Sequence, residues 1–355
     1  MSIVPAANLL RTAVPQASSE EPERDVVPEN PPTESWQRQL AAAIRDPAEL
    51  RKRLGLPAIE AESTGSEGFP TLVPESFLRR MQPANPHDPL LLQVLTGPEE
   101  SNSVAGFVAD PVGDTAARKA PGMLQKYAGR ALLVATGACA VHCRYCFRRE
   151  YPYQNEPRRM DDWQPAIDAL AEDSSITEVI LSGGDPLMLT DIRLTELCQK
   201  LDAIPHIERI RFHTRLPIVL PSRVTDNFIR LLKELRAQPL VIVHANHGNE
   251  IADDCQQALQ RIVRAGVPVL NQAVLLRNIN NCADALEELC RRLTNIGVMP
   301  YYLHQLDRIT GAAHFEVDVA TGRRLITELA ARLPGYAVPK FVQEIPGQPN
   351  KTSLF

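Results

Sequence analysis

From Ala131 onward the sequence alternates six times between a short apolar run and a longer amphipathic one. The runs "ALLVAT" (131–136), "EVILSG" (178–183), "RIRFHT" (209–214), "LVIVHANH" (240–247), "PVLNQAVLL" (268–276) and "MPYYLHQLD" (299–307) have the length and alternating or β-branched character of strands. Each is followed by a helical pattern. In "DNFIRLLKELRAQ", for example, Phe228, Leu231, Leu232 and Leu235 fall on one face. Strands separated by a helix run parallel, because a tight hairpin cannot join them and a crossover can. Six units of roughly thirty residues fall short of the eight that close a full barrel. The pattern predicts an α/β fold: a partial (β/α)6 TIM-like barrel with a helical N-terminal extension. A doubly wound sheet is the alternative.

In either architecture, chemistry sits at the C-terminal ends of the strands. The polar residues of this chain gather there. Cys139, Cys143 and Cys146 follow the first strand, and Ser182, Gly183, Gly184 and Asp185 end the second. The third closes on His213, Thr214 and Arg215, and the fourth on His244, Asn246 and His247. The fifth carries Asn271 and Gln272, and the sixth ends in His304, Gln305 and Asp307. Six polar strand ends in succession describe a site at the mouth of a barrel.

The cysteines are spaced C-x3-C-x2-C within "CAVHCRYCFRR". A structural zinc site takes four protein ligands, and no fourth Cys or His completes a usual zinc pattern nearby. Three thiolates on a [4Fe–4S] cluster leave one iron open, which suits a cluster that does chemistry; ferredoxin clusters use four. A zinc loop or three unrelated thiols is the competing reading. "SGGDP" taken alone is a turn, although its glycines let a ligand approach the backbone closely.

The bulk numbers exclude other classes. With 355 residues, net charge −5 and a pI near 6, the chain lacks the basic footprint of nucleic-acid binding. It has no apolar run long enough to span a membrane. "MSIVPAANLLRTAVPQA" lacks the basic and apolar regions of a secretory signal. Of the seven cysteines, Cys198, Cys255 and Cys290 sit in helical patterns as buried free thiols, and Cys282 is isolated. This points to a reducing, cytoplasmic compartment rather than a disulfide framework. Residues 1–33, rich in Pro, Glu and Ser, read as a disordered tail. Residues 34–125 read as a helical, loop-rich region, with Asp46 capping a helix that opens on Pro47, and residues 126–355 as the barrel.

C-x3-C-x2-C with Tyr145 before the last cysteine resembles the signature of radical S-adenosylmethionine (SAM) enzymes. Within them, "CRYCFRR", "SGGDPL", "HANHGNE", "NQAVLL", "MPYYLHQLD" and "GAAHF" resemble the lysine 2,3-aminomutase family, over roughly residues 85–355. The C-terminal "FVQEIPGQPNKTSLF", with Glu344 where degradative aminomutases carry Asp, looks most like a short bacterial branch. In that branch β-lysine is made for attachment to elongation factor P.

The resemblance implies an isomerase with three cofactors: a [4Fe–4S] cluster on Cys139, Cys143 and Cys146, SAM, and pyridoxal 5′-phosphate (PLP) bonded to Lys351. It implies that Ser182, Gly183, Gly184 and Asp185 meet the methionine part of SAM. Lys126 and Tyr127, and Arg215 as a second candidate, are implied near the PLP phosphate. His244, Asn246 and Gln272 are implied near the nucleoside and PLP. Arg148 would hold the substrate α-carboxylate through its bidentate fork, and Asp307 and Glu344 the ε-ammonium of L-lysine. An electron donor of flavodoxin or ferredoxin type and a functional link to elongation factor P and its lysyl ligase follow from the same likeness. Two alternatives stand beside it: a radical aminomutase for another amino acid such as glutamate, and a non-enzymatic iron–sulfur or zinc module.

Overall fold

The computed structural model describes residues 35–58 and 69–355. The segment 1–33, read above as a tail, lies outside the described residues. The helical pattern from Trp36 to Arg53 resolves into α1 (Trp36–Ala41) and α2 (Pro47–Arg53). Asp46 caps α2, accepting from the Ala48 N–H, and Pro47 opens the helix, where its missing donor costs nothing. A third short helix is α3 (Glu75–Leu78).

The sheet then forms in chain order. It begins with β1 (Arg118–Ala120), β2 (Met123–Tyr127) and β3 (Arg130–Thr136). After α4 (Gln164–Glu172) come β4 (Glu178–Gly183), α5 (Asp191–Asp202) and β5 (Arg209–Thr214). The short α6 (Leu216–Val219) and α7 (Asp226–Glu234) lead to β6 (Gln238–Val243), α8 (Asp253–Arg264) and β7 (Val269–Val274). Then follow α9 (Ala283–Asn295), β8 (Met299–His304) and α10 (Val319–Arg332), with β9 (Lys340–Gln343) and β10 (Thr352–Ser353) last.

Strands β3 to β9 are all parallel. β1 and β2 add an antiparallel hairpin at one edge, and β10 an antiparallel strand at the other. Spatial order follows chain order without reversal, from β1 to β10. A doubly wound sheet reverses its order at a central strand, so that alternative is excluded. The result is a singly wound, open barrel, as the alternation predicts, with strands at both margins that the alternation does not contain.

Strand periodicity places the site. In β5, Ile210, Phe212 and Thr214 are buried on the helix side, while Arg211 and His213 line the interior cavity. Phe212 meets Phe228 of α7 edge-on at 5.9 Å. Thr190, Thr225 and Asp318 cap α5, α7 and α10, each accepting from a backbone N–H of the first turn, which is worth about 1 kcal/mol apiece. Cys198, Cys255 and Cys290 are buried on α5, α8 and α9, as expected of core thiols. Burial pushes the thiols of Cys255 and Cys290 up to about 12, which leaves them unreactive. Cys282 is exposed just before α9.

The N-terminal segments pack on the barrel. Ser76 donates to the Val219 carbonyl at 2.6 Å, and Arg80 donates to the Glu250 carbonyl at 2.9 Å and pairs with Asp254 at 2.7 Å. The sheet itself starts at Arg118, ahead of the boundary expected near residue 126. Among the described residues no helix is long and apolar enough to cross a membrane.

Candidate active site

The mouth of the barrel opens into one cavity of about 1440 Å³. This exceeds the roughly 300–1,000 Å³ of an ordinary small-molecule site. Every residue given a cofactor or substrate role from the sequence lines it, from Cys139, Cys143 and Cys146 at one end to Asp307, Glu344 and Lys351 at the other, whereas the strand-end residues Thr214, His247, Asn271 and Gln305 are not in its lining.

The arginines around the cysteines divide their labour. Arg144 is fully buried and makes a fork–fork pair with Glu100, Nε to Oε1 at 2.7 Å and Nη2 to Oε2 at 2.5 Å. Arg149 reaches the same Oε2 at 2.7 Å. These two clamp the loop through Glu100, and Arg149 lines the cavity together with Arg148. Replacing Glu100 with Ala takes the shared carboxylate from two buried guanidiniums. It is expected to cost about 3–5 kcal/mol in denaturant unfolding and to lower iron uptake. Unchanged stability would refute the clamp.

The glycines of "SGGD" are demanded by the cysteine loop itself. Gly183 has φ +114°, and a Cβ on Gly184 would lie 2.3 Å from the Ala138 carbonyl oxygen. The Gly184 N–H donates to Thr136 O at 2.7 Å, the Asp185 N–H to Ala138 O at 2.8 Å, and Tyr153 Oη to Gly183 O at 2.8 Å. These groups are thereby spent on joining β4 to the loop after β3. Asp185 is likewise engaged, accepting from Thr214 Oγ1 at 2.7 Å, Arg215 N at 2.7 Å and Leu187 N at 3.0 Å. Burial pushes its carboxyl up to about 6 despite those donors.

At the other end, Glu344 accepts from Lys351 Nζ at 2.6 Å and from Tyr127 Oη at 2.6 Å. Burial would raise its carboxyl, but Lys351 and Tyr127 outweigh burial and hold it below the usual range. Asp307 is treated oppositely: burial, with Glu344 close by, pushes it up to about 7 against the pull of Lys351. Two carboxyls with their acidities driven apart therefore face one lysine. Arg148 Nε binds the buried Asp114 at 2.6 Å and its Nη1 lies 3.2 Å from Ser182 Oγ. Lys126 takes the other Asp114 oxygen at 2.7 Å.

The Radical SAM superfamily model matches residues 133–307. The chain is 45% identical over 327 residues to L-lysine 2,3-aminomutase of Escherichia coli (strain K12), covering 91% of this chain and 95% of that one. It is 43% identical to the Haemophilus influenzae protein of the same name, covering 90% of this chain and 95% of that one. The chain belongs to the lysine 2,3-aminomutase family. L-lysine 2,3-aminomutase of Clostridium subterminale is 35% identical over 322 residues, 90% of this chain and 77% of that one. Among solved structures, Streptococcus suis SuiB bound to S-adenosylmethionine has a TM-score of 0.47 and 14% identity, covering 62% of this chain and 51% of that one.

The lysine 2,3-aminomutase family is a radical SAM isomerase family whose cofactors are a [4Fe–4S] cluster, SAM and PLP, and the residues present fit that set. Burial and the neighbouring thiols push Cys139 well up and Cys146 to about 11, so thiolates at these two positions stand only against a cationic centre. Among the described residues no three His, Cys, Asp or Glu side chains are placed to hold a single metal ion. Thiolates that each take a different iron of a cluster stand farther apart than that. Near Lys351, the Nε2 atoms of His213, His244 and His304 are buried without a partner, as in a cavity wall built for a polar ring. Burial and nearby cations keep all three imidazoles neutral, His244 at about 4.

The structure separates Arg215 from the phosphate pair expected of it. Its guanidinium binds Cys143 Sγ, Tyr145 Oη at 2.6 Å, Gln93 at 2.7 Å and Glu250 at 3.0 Å. It belongs to the cysteine end and is not in contact with Lys126 or Tyr127. Asn246 joins the same network through Gln93 and Tyr145, and Val274 N donates to its Oδ1. Gln272 lines the cavity, whereas Asn271 is bound to the Ala245 backbone. Beside Tyr127 the cation is Arg130, stacked on its ring at 4.6 Å with no ion pair among the described residues. Arg130 and Asp114 are the residues that sequence reasoning missed. The "KYAGR" spacing could have shown Arg130; nothing in "PVGDTAA" marks a buried anion.

Proposed function

We propose that the chain converts L-lysine to β-lysine by PLP-dependent radical migration of the α-amino group. The observation that carries this reading is the Asp307–Glu344 pair facing Lys351 in the cavity that also holds the three loop cysteines. When bound, the cluster and SAM supply a carbon radical able to take an unactivated C3 hydrogen, and PLP supplies the π-bond through which the amine moves.

The chain's own residues bind and orient. Arg148 presents its fork to the α-carboxylate, with Asp114 fixing the guanidinium from behind. Asp307 and Glu344 receive the distal ammonium, which sets the length of the substrate. A glutamate substrate would bring a third carboxylate to these two, and the like charges argue against it. Burial around the site excludes water from reactive groups. The reading extends to modification of elongation factor P by a separate ligase, and to a flavodoxin- or ferredoxin-type electron donor. Its support is the likeness of "FVQEIPGQPNKTSLF" to the branch described from the sequence. An anaerobic assay with dithionite, SAM and the amino acids offered singly tests the core of it. Turnover of glutamate and not lysine would overturn it.

Asp307 gives the reading a pH dependence. Its raised pKa means that it is protonated below about 7, and a neutral carboxyl holds an ammonium poorly. The kcat/KM for lysine is expected to fall as pH drops through that value, and Asp307→Asn to remove the inflection. At pH 8 the variant loses one charged hydrogen bond, about 1.5–3 kcal/mol, or roughly ten- to a hundredfold in kcat/KM. Norleucine, which has no distal ammonium, should be nearly unaffected. An equal loss for both substrates would make Asp307 structural.

A further inference from the structure

We infer that the ammonium seat for the substrate is filled, in the cofactor-free protein, by the protein's own Lys351. This inference rests on the lysine reading above, since it assigns Glu344 to the distal ammonium. The geometry is direct. Glu344 follows β9 and Lys351 precedes β10, and pairing of Thr352 with Gln343 sets the two residues opposite one another across the hairpin. The Leu354 N–H donates to Phe341 O at 2.9 Å, and Arg323 Nε to Leu354 O at 2.6 Å, which fixes the returning strand. Lys351 Nζ therefore rests 2.6 Å from Glu344 Oε2 as a consequence of the fold.

Both charged carboxylates around it already carry cations. Asp114 serves Arg148 and Lys126, at 2.6 and 2.7 Å. Glu344 Oε1 is taken by Tyr127, with Lys126 at 3.8 Å, and Oε2 by Lys351. Asp307, buried beside them, holds its proton up to about neutral pH. A free diamino acid entering this protein brings a second ammonium to a carboxylate that already has one. Only after Lys351 has turned to the cofactor is Glu344 Oε2 free to take another ammonium. Loading is then ordered, with the cofactor before lysine.

The test measures binding without turnover. Cofactor-free wild type, Lys351→Met and Lys351→Met/Glu344→Gln are compared by equilibrium dialysis with radiolabelled L-lysine and L-norleucine. Methionine keeps the side-chain bulk and removes the charge. A seat free in only about 1–10% of wild-type molecules weakens apparent affinity ten- to a hundredfold. Lys351→Met should bind lysine tighter than wild type by that factor, the double variant should lose the gain, and norleucine should not distinguish wild type from Lys351→Met. Equal lysine affinities in wild type and Lys351→Met, absence of binding to both, or a gain shared by norleucine would each overturn the inference. Lysine turnover by fully reconstituted wild type, measured alongside, reports separately on the function: turnover with equal affinities removes only the self-filled seat.

Discussion

Alanine at Cys139, Cys143 or Cys146 is expected to give a folded protein with no [4Fe–4S] absorbance and no lysine turnover. Each of these thiols is only partly buried and faces the cavity rather than the core. Their loop is held by other means: the Glu100 clamp on Arg144 and Arg149, and the backbone bonds from Gly184 and Asp185. Losing one thiol therefore leaves the scaffold in place. The chemistry has no such reserve. Three thiolates leave one iron open for SAM, and with two thiolates a second iron loses its protein ligand. Alanine at Cys198 or Cys290 should do the reverse. Both are buried against the sheet, so stability falls by about 1 kcal/mol while iron per chain stays at the wild-type value. Stoichiometric zinc without iron after anaerobic reconstitution would refute the cluster, and so would equal iron loss at Cys198.

The contrast between the two cysteine sets shows what the sequence makes legible. Cys198 and Cys290 lie in periodic apolar runs, so local pattern alone consigns them to the core. Strands β3 to β8 announce themselves likewise, because Ile210 and Phe212 alternate with Arg211 and His213 in a way that only a strand between helices and a polar interior satisfies. The margins of the sheet are different. β9 and β10 are four and two residues long and flank a Pro/Gly-rich turn, too short for periodicity to register. The β1–β2 hairpin hides in a loop-rich stretch, although Pro121–Gly122 is a turn pair and Gly122 has φ +76°. Within the site, residue type and position at a strand end sufficed to bring the cysteines, Asp307 and His244 to the cavity wall. They did not suffice for Arg215, whose partners Gln93 and Glu250 come from distant segments. Nor could they reveal Asp114, whose burial depends on Arg148 and Lys126 converging from elsewhere in the chain.

Lys351→Ala is expected to abolish covalent retention of PLP and all turnover, with iron content unchanged. Borohydride reduction of the PLP-loaded wild type should fix the cofactor on the peptide carrying Lys351. Two other lysines line the cavity and are the alternatives to exclude. Lys126 is committed to Asp114 at 2.7 Å and to the Val112 carbonyl at 2.8 Å, so freeing its amine would strand a buried carboxylate. Lys340 is exposed at the start of β9. Lys351 alone combines a position beside Asp307 and the neutral imidazoles with a place at the end of the Pro/Gly-rich turn between β9 and β10. Lys351→Arg separates its two roles. Arginine can keep the charge beside Glu344 and cannot bond to the cofactor, so it should fold as stably as wild type and still trap no PLP. Trapped pyridoxyl on Lys126 or Lys340 in the wild type would move the covalent role to that residue, and would leave Lys351 only the ion pair seen with Glu344.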